Sequence, residues 1–190
     1  MPKETRERII EAAFRTLSRR GYEKTTIKDI AEEADVAPGL IHYYFKSKQA
    51  LVLAVLEVCC AELKRNDVTA TDEGIVEAFQ TVKDHLVDRR DALRLYVELI
   101  GVGFHDPEVG AGLLGFVRED RGSIQDVTRD VFAARELPGE QASAFGAAIW
   151  AAIHGITVQA LVDPDFDADA AVDALAAMAI ATVTSQAEVR

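Results

Sequence analysis

Apolar residues recur along this chain with a period near 3.6. No stretch alternates apolar and polar between hairpin turns, so helices are expected throughout and strands nowhere. Ile10, Ala13, Phe14 and Leu17 fall at i, i+3, i+4 and i+7 of a first helix. Gly21 should end it, because glycine readily takes the left-handed conformation of a helix terminus. Short helices over about residues 26–34 and 38–44 follow, then a longer one from Ser47 with Val52, Leu56 and Leu63 on its stripe. Asn66 to Asp72 is polar and turn-like and sets a boundary. Ile75, Phe79, Val82 and Leu86 mark a fifth helix. Leu93, Tyr96, Val97, Ile100 and Phe104 mark a sixth, stopped by His105-Asp106-Pro107. A seventh helix, whole or broken, runs to about residue 135 with Leu113, Phe116, Val117, Ile124, Val127 and Val131 inward. Two more, over about residues 140–162 and 167–187, flank Asp163-Pro164-Asp165-Phe166. The pattern predicts an all-α protein of about nine helices.

The stretch from Gly21 to Leu51 is the informative one. Two short helices joined by a tight turn, with a third before them, have the size of a helix-turn-helix. Thr26 and Asp29 have the spacing of an N-cap and its returning acid. Ile27, Ile30, Ala31 and Ala34 give that helix a buried side. Asp35 suits a turn needing a left-handed residue, and Pro38 suits the first turn of the next helix. That next helix is aromatic, His42-Tyr43-Tyr44-Phe45, with Lys46 and Lys48 close behind. Phe45 and Ile41 are expected in the core. Three consecutive aromatics cannot all face inward on one helix, so Tyr43 and Tyr44 are expected on DNA. Tyrosine hydroxyls, lysine ammoniums and helix N-terminal amides all bond phosphate, which brings in Lys28 as well. Small residues at Ala37 and Gly39 allow close approach to base edges.

These residues resemble the N-terminal signature of the TetR family of regulators: Gly21, Thr25-Thr26, Ile30-Ala31, Ala34, Val36, Gly39, Ile41, Tyr44-Phe45 and Lys48. The resemblance covers about residues 6–52; the last two helices are weakly similar to choline-responsive repressors. It implies phosphate contacts at Thr26, Tyr43, Tyr44 and Lys48, and base-edge readout at Ala37, Pro38, Gly39 and His42. It also implies repression of a palindromic operator, relieved by a small molecule. Asp35 stands where the family usually has Gly, Ala37 where it has Ser or Thr, and His42 where it often has Tyr. On this reading residues 1–50 form the DNA-binding domain, and residues 51–190 the effector-binding and dimerisation domain.

Residues 141–162 carry no Asp, Glu, Lys or Arg. A membrane span of that length is set aside because acids flank it and alanine dominates it. A helix apolar all round is expected to be buried on two sides. Phe145, Ile149 and Ile156 are expected to face the body; Ala144, Ala148, Ala151 and Gly155 are expected at a twofold dimer seam, with Leu175 and Ala179 from the last helix. An effector pocket, expected mostly from the resemblance, draws on Phe79, His85, Tyr96, Ile100, Phe104, Phe116, Trp150 and His154. Each of these could equally be plain core. Gly101, Gly103, Gly110, Gly112 and Gly115 are costly inside helices and suggest a broken or mobile segment beside the pocket.

Charge first opposes, then permits, a DNA partner. The net charge is −11, but residues 1–50 hold 10 Lys/Arg against 8 Asp/Glu and only the remainder is strongly acidic. Two adjacent cysteines, Cys59 and Cys60, exclude a disulfide framework and point to the cytoplasm. Gly110 to Gly115 fits G-x-G-x-x-G without the strand that a dinucleotide site needs. The aspartates from Asp163 to Asp169 lack the Gly and Glu of a calcium loop. No catalytic, metal or cofactor set is found. The expected partners are therefore double-stranded DNA, a small-molecule effector and a second copy of the chain, with no membrane. The rival readings are a helical small-molecule-binding protein or enzyme, and an interaction scaffold that has lost DNA.

Overall fold

The computed structural model describes residues 2–61 and 68–188. Leu63 and Asn66, expected on the fourth helix and at the boundary, lie outside the described residues, as does the side chain of Cys60. Among the described residues there are nine α-helices, one 3-10 turn (Gly139–Gln141) and no strand. The helices are α1 (Pro2–Lys24), α2 (Ile27–Glu33), α3 (Pro38–Phe45), α4 (Lys48–Ala61), α5 (Asp72–Asp88), α6 (Arg90–Gly103), α7 (Pro107–Ala134), α8 (Ala142–Val162) and α9 (Ala168–Glu188). They fall into two compact units that are not consecutive in sequence. Met1–Glu62 with Asp91–Phe116 makes the first, and Leu63–Arg90 with Val117–Arg190 the second.

The first unit is built on the apolar side of α1. Ile9, Ile10, Ala13 and Leu17 are buried, as are Ile30 and Ala31 of α2, Ile41 and Phe45 of α3, and Leu51, Val52 and Val55 of α4. The helical path of α1 breaks at Gly21, which has φ 76°. A side chain there would be strained, and its Cβ would fall 2.9 Å from Glu98 Oε1. Glu98 uses that closeness to accept a hydrogen bond from Tyr22 N at 2.7 Å.

The glycine-rich stretch breaks once, at residues 104–106 between α6 and α7, and not at Gly110, Gly112 or Gly115. α7 is continuous from Pro107 to Ala134. A Cβ at Gly110 would meet Gly103 O at 2.6 Å, and one at Gly112 would meet Leu53 Cδ1 at 2.3 Å. Gly110 and Gly112 let α7 approach α6 and α4, which offsets their helix cost. The expected break thus lies between the two helices, while Gly110 and Gly112 of α7 are close-contact positions. Phe104 is a second correction. α6 stops at Gly103, His105 N and Asp106 N both bond Val102 O, and Phe104 stands 79% exposed beyond the helix end.

In the second unit α5 packs on α8 and α9, which pack on each other. Thr71 caps α5 by accepting from Gly74 N at 3.1 Å. Lys83 pairs with Asp173, and Arg135 reaches Ala70 O and Asp72. α8 is long and apolar enough to cross a membrane by length and composition, yet only 17% of that apolar stretch is buried within the chain. Its uncovered line is Ala144, Ala148, Ala151, Gly155, Val158 and Val162, at alternating spacings of four and three. On α9 the exposed line is Ala170, Ala174, Ala177 and Ala181. Leu175 and Ala179, expected on the outer seam, are instead buried inside the unit at 8% and 5% exposure. Leu175 goes inward with Val172 and Val183, and the alanines between them are left exposed.

Gly110→Ala should destabilise the protein by about 1–3 kcal/mol, because the Gly103 carbonyl is backbone and cannot yield easily. Gly115→Ala, with open space around it, should instead stabilise by up to about 1 kcal/mol through helix propensity. Urea unfolding of the two variants separates the signs.

Candidate nucleic-acid interface

The motif residues sit where local rules put them. Thr26 has extended backbone and accepts from Asp29 N at 3.2 Å, while Thr26 N donates to Asp29 Oδ2 at 2.9 Å, closing a capping box on α2. Asp35 takes φ 51°, and Val36 N reaches Ala31 O at 3.0 Å, so the turn is as tight as two short helices require. Pro38 occupies the first position of α3; its N-cap Ala37 offers no side-chain bond to the helix start. Lys46, at φ 63°, ends the helix.

This geometry splits α3 cleanly. Ile41 and Phe45 point into the core, with Arg6 over the Phe45 ring at 5.3 Å. Gly39, His42, Tyr43 and Lys46, at i, i+3, i+4 and i+7, are exposed, as are Ala37 and Pro38. Tyr43 is 77% exposed and packs edge-on against half-buried Tyr44, ring centroids 5.2 Å apart. Thr26 and Lys28 are exposed on α2. All these residues, expected at DNA from the sequence, are thus solvent-facing at least in part. Lys48 is the one drawn inward: its ammonium donates to Tyr22 O and lies 4.0 Å from the Tyr22 ring centroid. Burial lowers its pKa, with Glu23 and Glu98 opposing. Behind this surface, Arg15 and Arg19 converge on Glu33, and Arg20 pairs with Asp29 at 2.6 Å. These exposed arginines tie α2 to α1 through the carboxylates of α2.

The second unit contains a cavity of about 940 Å3, counting its open mouth. Its walls are apolar, chiefly Ile75, Phe79, Val127, Phe132, Phe145 and Ile149, and among its lining residues Asp120 is the one formal charge. Asp120 Oδ2 accepts from Trp150 Nε1 at 2.7 Å and lies 3.9 Å from His154 Nε2; the Trp150 and His154 rings overlap at 3.9 Å. Of the residues expected at a pocket, Phe79 and His85 line this one, and Trp150 and His154 stand behind its Asp120. Tyr96, Ile100, Phe104 and Phe116 belong to the other unit, where Tyr96 and Phe116 rings meet at 5.4 Å. Asp120 was missed, although it sits on the inward stripe of α7 with Phe116, Ile124, Val127 and Val131. An acid on an apolar stripe was the signal that could have found it.

The family described as bacterial regulatory proteins, tetR family, matches residues 9–55, and the C-terminal domain of BetI-type transcriptional repressors matches residues 73–184. The chain belongs to the TetR family. Among curated relatives, an HTH-type transcriptional regulator BetI from Agrobacterium fabrum is 40% identical over 65 residues, 34% of this chain and 32% of that one. An uncharacterized HTH-type regulator from Bacillus subtilis is 37% identical over 97 residues, 46% of each chain. The chain thus spans between about a third and a half of these relatives' length. The fold extends further. A TetR-family regulator from Rhodococcus sp. superposes with a TM-score of 0.78 at 20% identity, covering 95% of this chain and 98% of that one. A transcriptional regulator from Saccharomonospora viridis, solved in complex with choline, gives a TM-score of 0.71 at 22% identity, covering 91% and 94%. Members of this TetR family are transcription factors, not enzymes.

Hydrogen bonds from Thr26 hold the Asp29 carboxyl below its usual pKa, and those from Arg15 and Arg19 do the same for Glu33. A depressed folded-state pKa adds stability above the unfolded value and loses it as pH falls through the folded one. Thermal midpoints should therefore fall below about pH 4, and Asp29→Asn with Glu33→Gln should flatten that dependence.

Proposed function

We propose that this protein is a dimeric repressor. It binds a palindromic operator through the exposed side of α2 and α3 and releases it when a small molecule enters the cavity of the second unit. The observation that carries the reading is the division of α3. Ile41 and Phe45 anchor it, while Ala37 to Gly39, His42 and Tyr43 stand clear on the opposite side. Thr26, Lys28, Tyr43, Tyr44 and Lys46 then serve as phosphate contacts, joined by the donors that Lys48 does not spend on Tyr22. Ala37 to Gly39 and His42 meet base edges. DNA binding is assigned to residues 1–50, and effector binding and dimerisation to residues 51–190.

A second copy accounts for the uncovered lines on α8 and α9. Their alanines and glycine follow coiled-coil spacing, and two such helix pairs close into a four-helix seam around a twofold axis. Acids Asp169 and Asp173 beside the α9 line favour a protein mate over a bilayer. The protein is accordingly read as a cytoplasmic dimer with no membrane partner. Two recognition helices about 34–36 Å apart reach successive major grooves.

For the effector, Asp120 in a largely apolar cavity whose lining holds no Lys or Arg favours a ligand with a cationic or donor group and an apolar remainder, and disfavours carboxylates. The neighbour holding choline supports the same polarity. Coupling runs along α7. Its later turns, from Asp120 to Phe132, line the cavity, while Glu108 in its first turn accepts from Ser47 Oγ at 2.7 Å just before α4.

Two outcomes test this. Lys46→Ala and Lys28→Ala should each weaken binding to all duplexes alike and reduce the salt slope by about one, while Ala151→Glu should yield monomers and abolish tight operator binding; unchanged isotherms would sink the interface. Choline and larger apolar ammonium compounds should lower operator affinity about 5–150-fold. Asp120→Asn should blunt that response while leaving unliganded affinity intact.

A further inference from the structure

Between Ala37 and Phe45 the chain carries no Arg, Lys, Asn, Gln, Asp or Glu. Those are the side chains that read guanine, adenine and cytosine with paired hydrogen bonds in the major groove. What leads into the groove is the Ala37 methyl, the Pro38 ring and bare Gly39, all exposed. The backbone adds one donor at most, the Gly39 N–H: Pro38 has none, and Leu40 N already donates to Ala37 O at 2.9 Å. A guanine or cytosine edge set against this surface loses water without a replacement partner, whereas the C5-methyl of thymine gains apolar contact.

One turn further on, His42 Nδ1 lies 3.3 Å from the carbonyl oxygen of Lys46. A carbonyl oxygen only accepts, so this contact favours the tautomer with the proton on Nδ1. In the neutral ring Nε2 is then a bare acceptor. The major-groove groups of guanine, O6 and N7, are themselves acceptors and cannot partner it. The exocyclic amino groups of adenine and cytosine can.

Building on the DNA-binding reading above, we propose that this protein recognises its operator half-site through thymine methyl groups packed on Ala37 and Pro38. A single exocyclic amino group, adenine N6 or cytosine N4, donates a hydrogen bond to Nε2 of His42. Specificity then comes from shape and methyl contact more than from hydrogen bonds. Guanine in the half-site core is rejected rather than read.

The full-length protein is first used to select duplexes from a random-sequence pool. Half-sites with thymines at fixed core positions are expected. Replacing each thymine by deoxyuridine removes only the methyl and should cost about fourfold in affinity at one or two positions, the worth of one buried carbon. At mildly alkaline pH, purine in place of one adenine, or 2-pyrimidinone in place of one cytosine, should cost about fivefold. Which analogue acts tells adenine from cytosine. In His42→Ala that one sensitivity should vanish while the deoxyuridine effects persist. Tight, specific binding indifferent to every deoxyuridine, or dependent on guanine N7 opposite His42, overturns this proposal and leaves the repressor reading standing. Failure to select any sequence overturns both.

Discussion

The surface proposed to meet DNA depends on a small knot of hydrogen bonds around Tyr22. Its backbone N–H is held by Glu98, its carbonyl by the Lys48 ammonium, and its ring lies under that same cation. Asp106 accepts from Gln49 at 3.0 Å, and Glu108 accepts from Ser47. Burial and the nearby carboxylates of Asp106, Glu23 and Glu108 push the Tyr22 phenol up. The site therefore stays neutral at the ring and negative around it, and Lys48 is the cation that makes it tenable. Charge-assisted bonds of this kind are worth about 1.5–3 kcal/mol each, a large share of what a three-helix head could muster alone. Without them α1 past Gly21 and the start of α4 would have no common anchor.

That knot also explains why the compact units do not follow the chain. Glu98, Asp106 and Glu108 belong to α6, the α6–α7 turn and α7, yet all three bond residues of the first unit. A division by sequence order puts them with the effector-binding half. A division by packing puts them with the head. Both descriptions hold if α6 and the start of α7 act on the head mechanically while the rest of α7 serves the cavity.

Much of this was legible beforehand. The helix-turn-helix could be read residue by residue because its determinants are local: a cap at Thr26, a left-handed Asp35, a proline at the start of α3. Tertiary choices were harder. The glycines of residues 101–115 looked like a flexible segment because propensity penalises them. Only the Gly103 carbonyl beneath Gly110 and the Leu53 methyl beneath Gly112 reveal them as contact points. Phe104 fitted the α6 period and still fell outside the helix, since Asp106 caps the next helix by accepting from Glu108 N and Val109 N. The pocket residues scattered because aromatic content alone does not say which core a ring enters.

The last helix shows the same limit in another form. Its apolar positions serve two surfaces, and hydrophobicity ranks Leu175 and Val172 as the better interface formers. Packing decides otherwise. α5 and the cavity wall claim the bulky residues, leaving Ala170, Ala174, Ala177 and Ala181 outside. Small residues are poor at driving burial singly but allow two helix backbones to come close, where many weak contacts add. A pairing of copies through the alanines of α9 and the alanines and Gly155 of α8, as proposed above, would thus depend on shape for its strength. A modest tilt of either helix would open it. In the dimer proposed above, whose two recognition helices would have to match the repeat of a DNA groove, that sensitivity would make helix tilt a control on spacing.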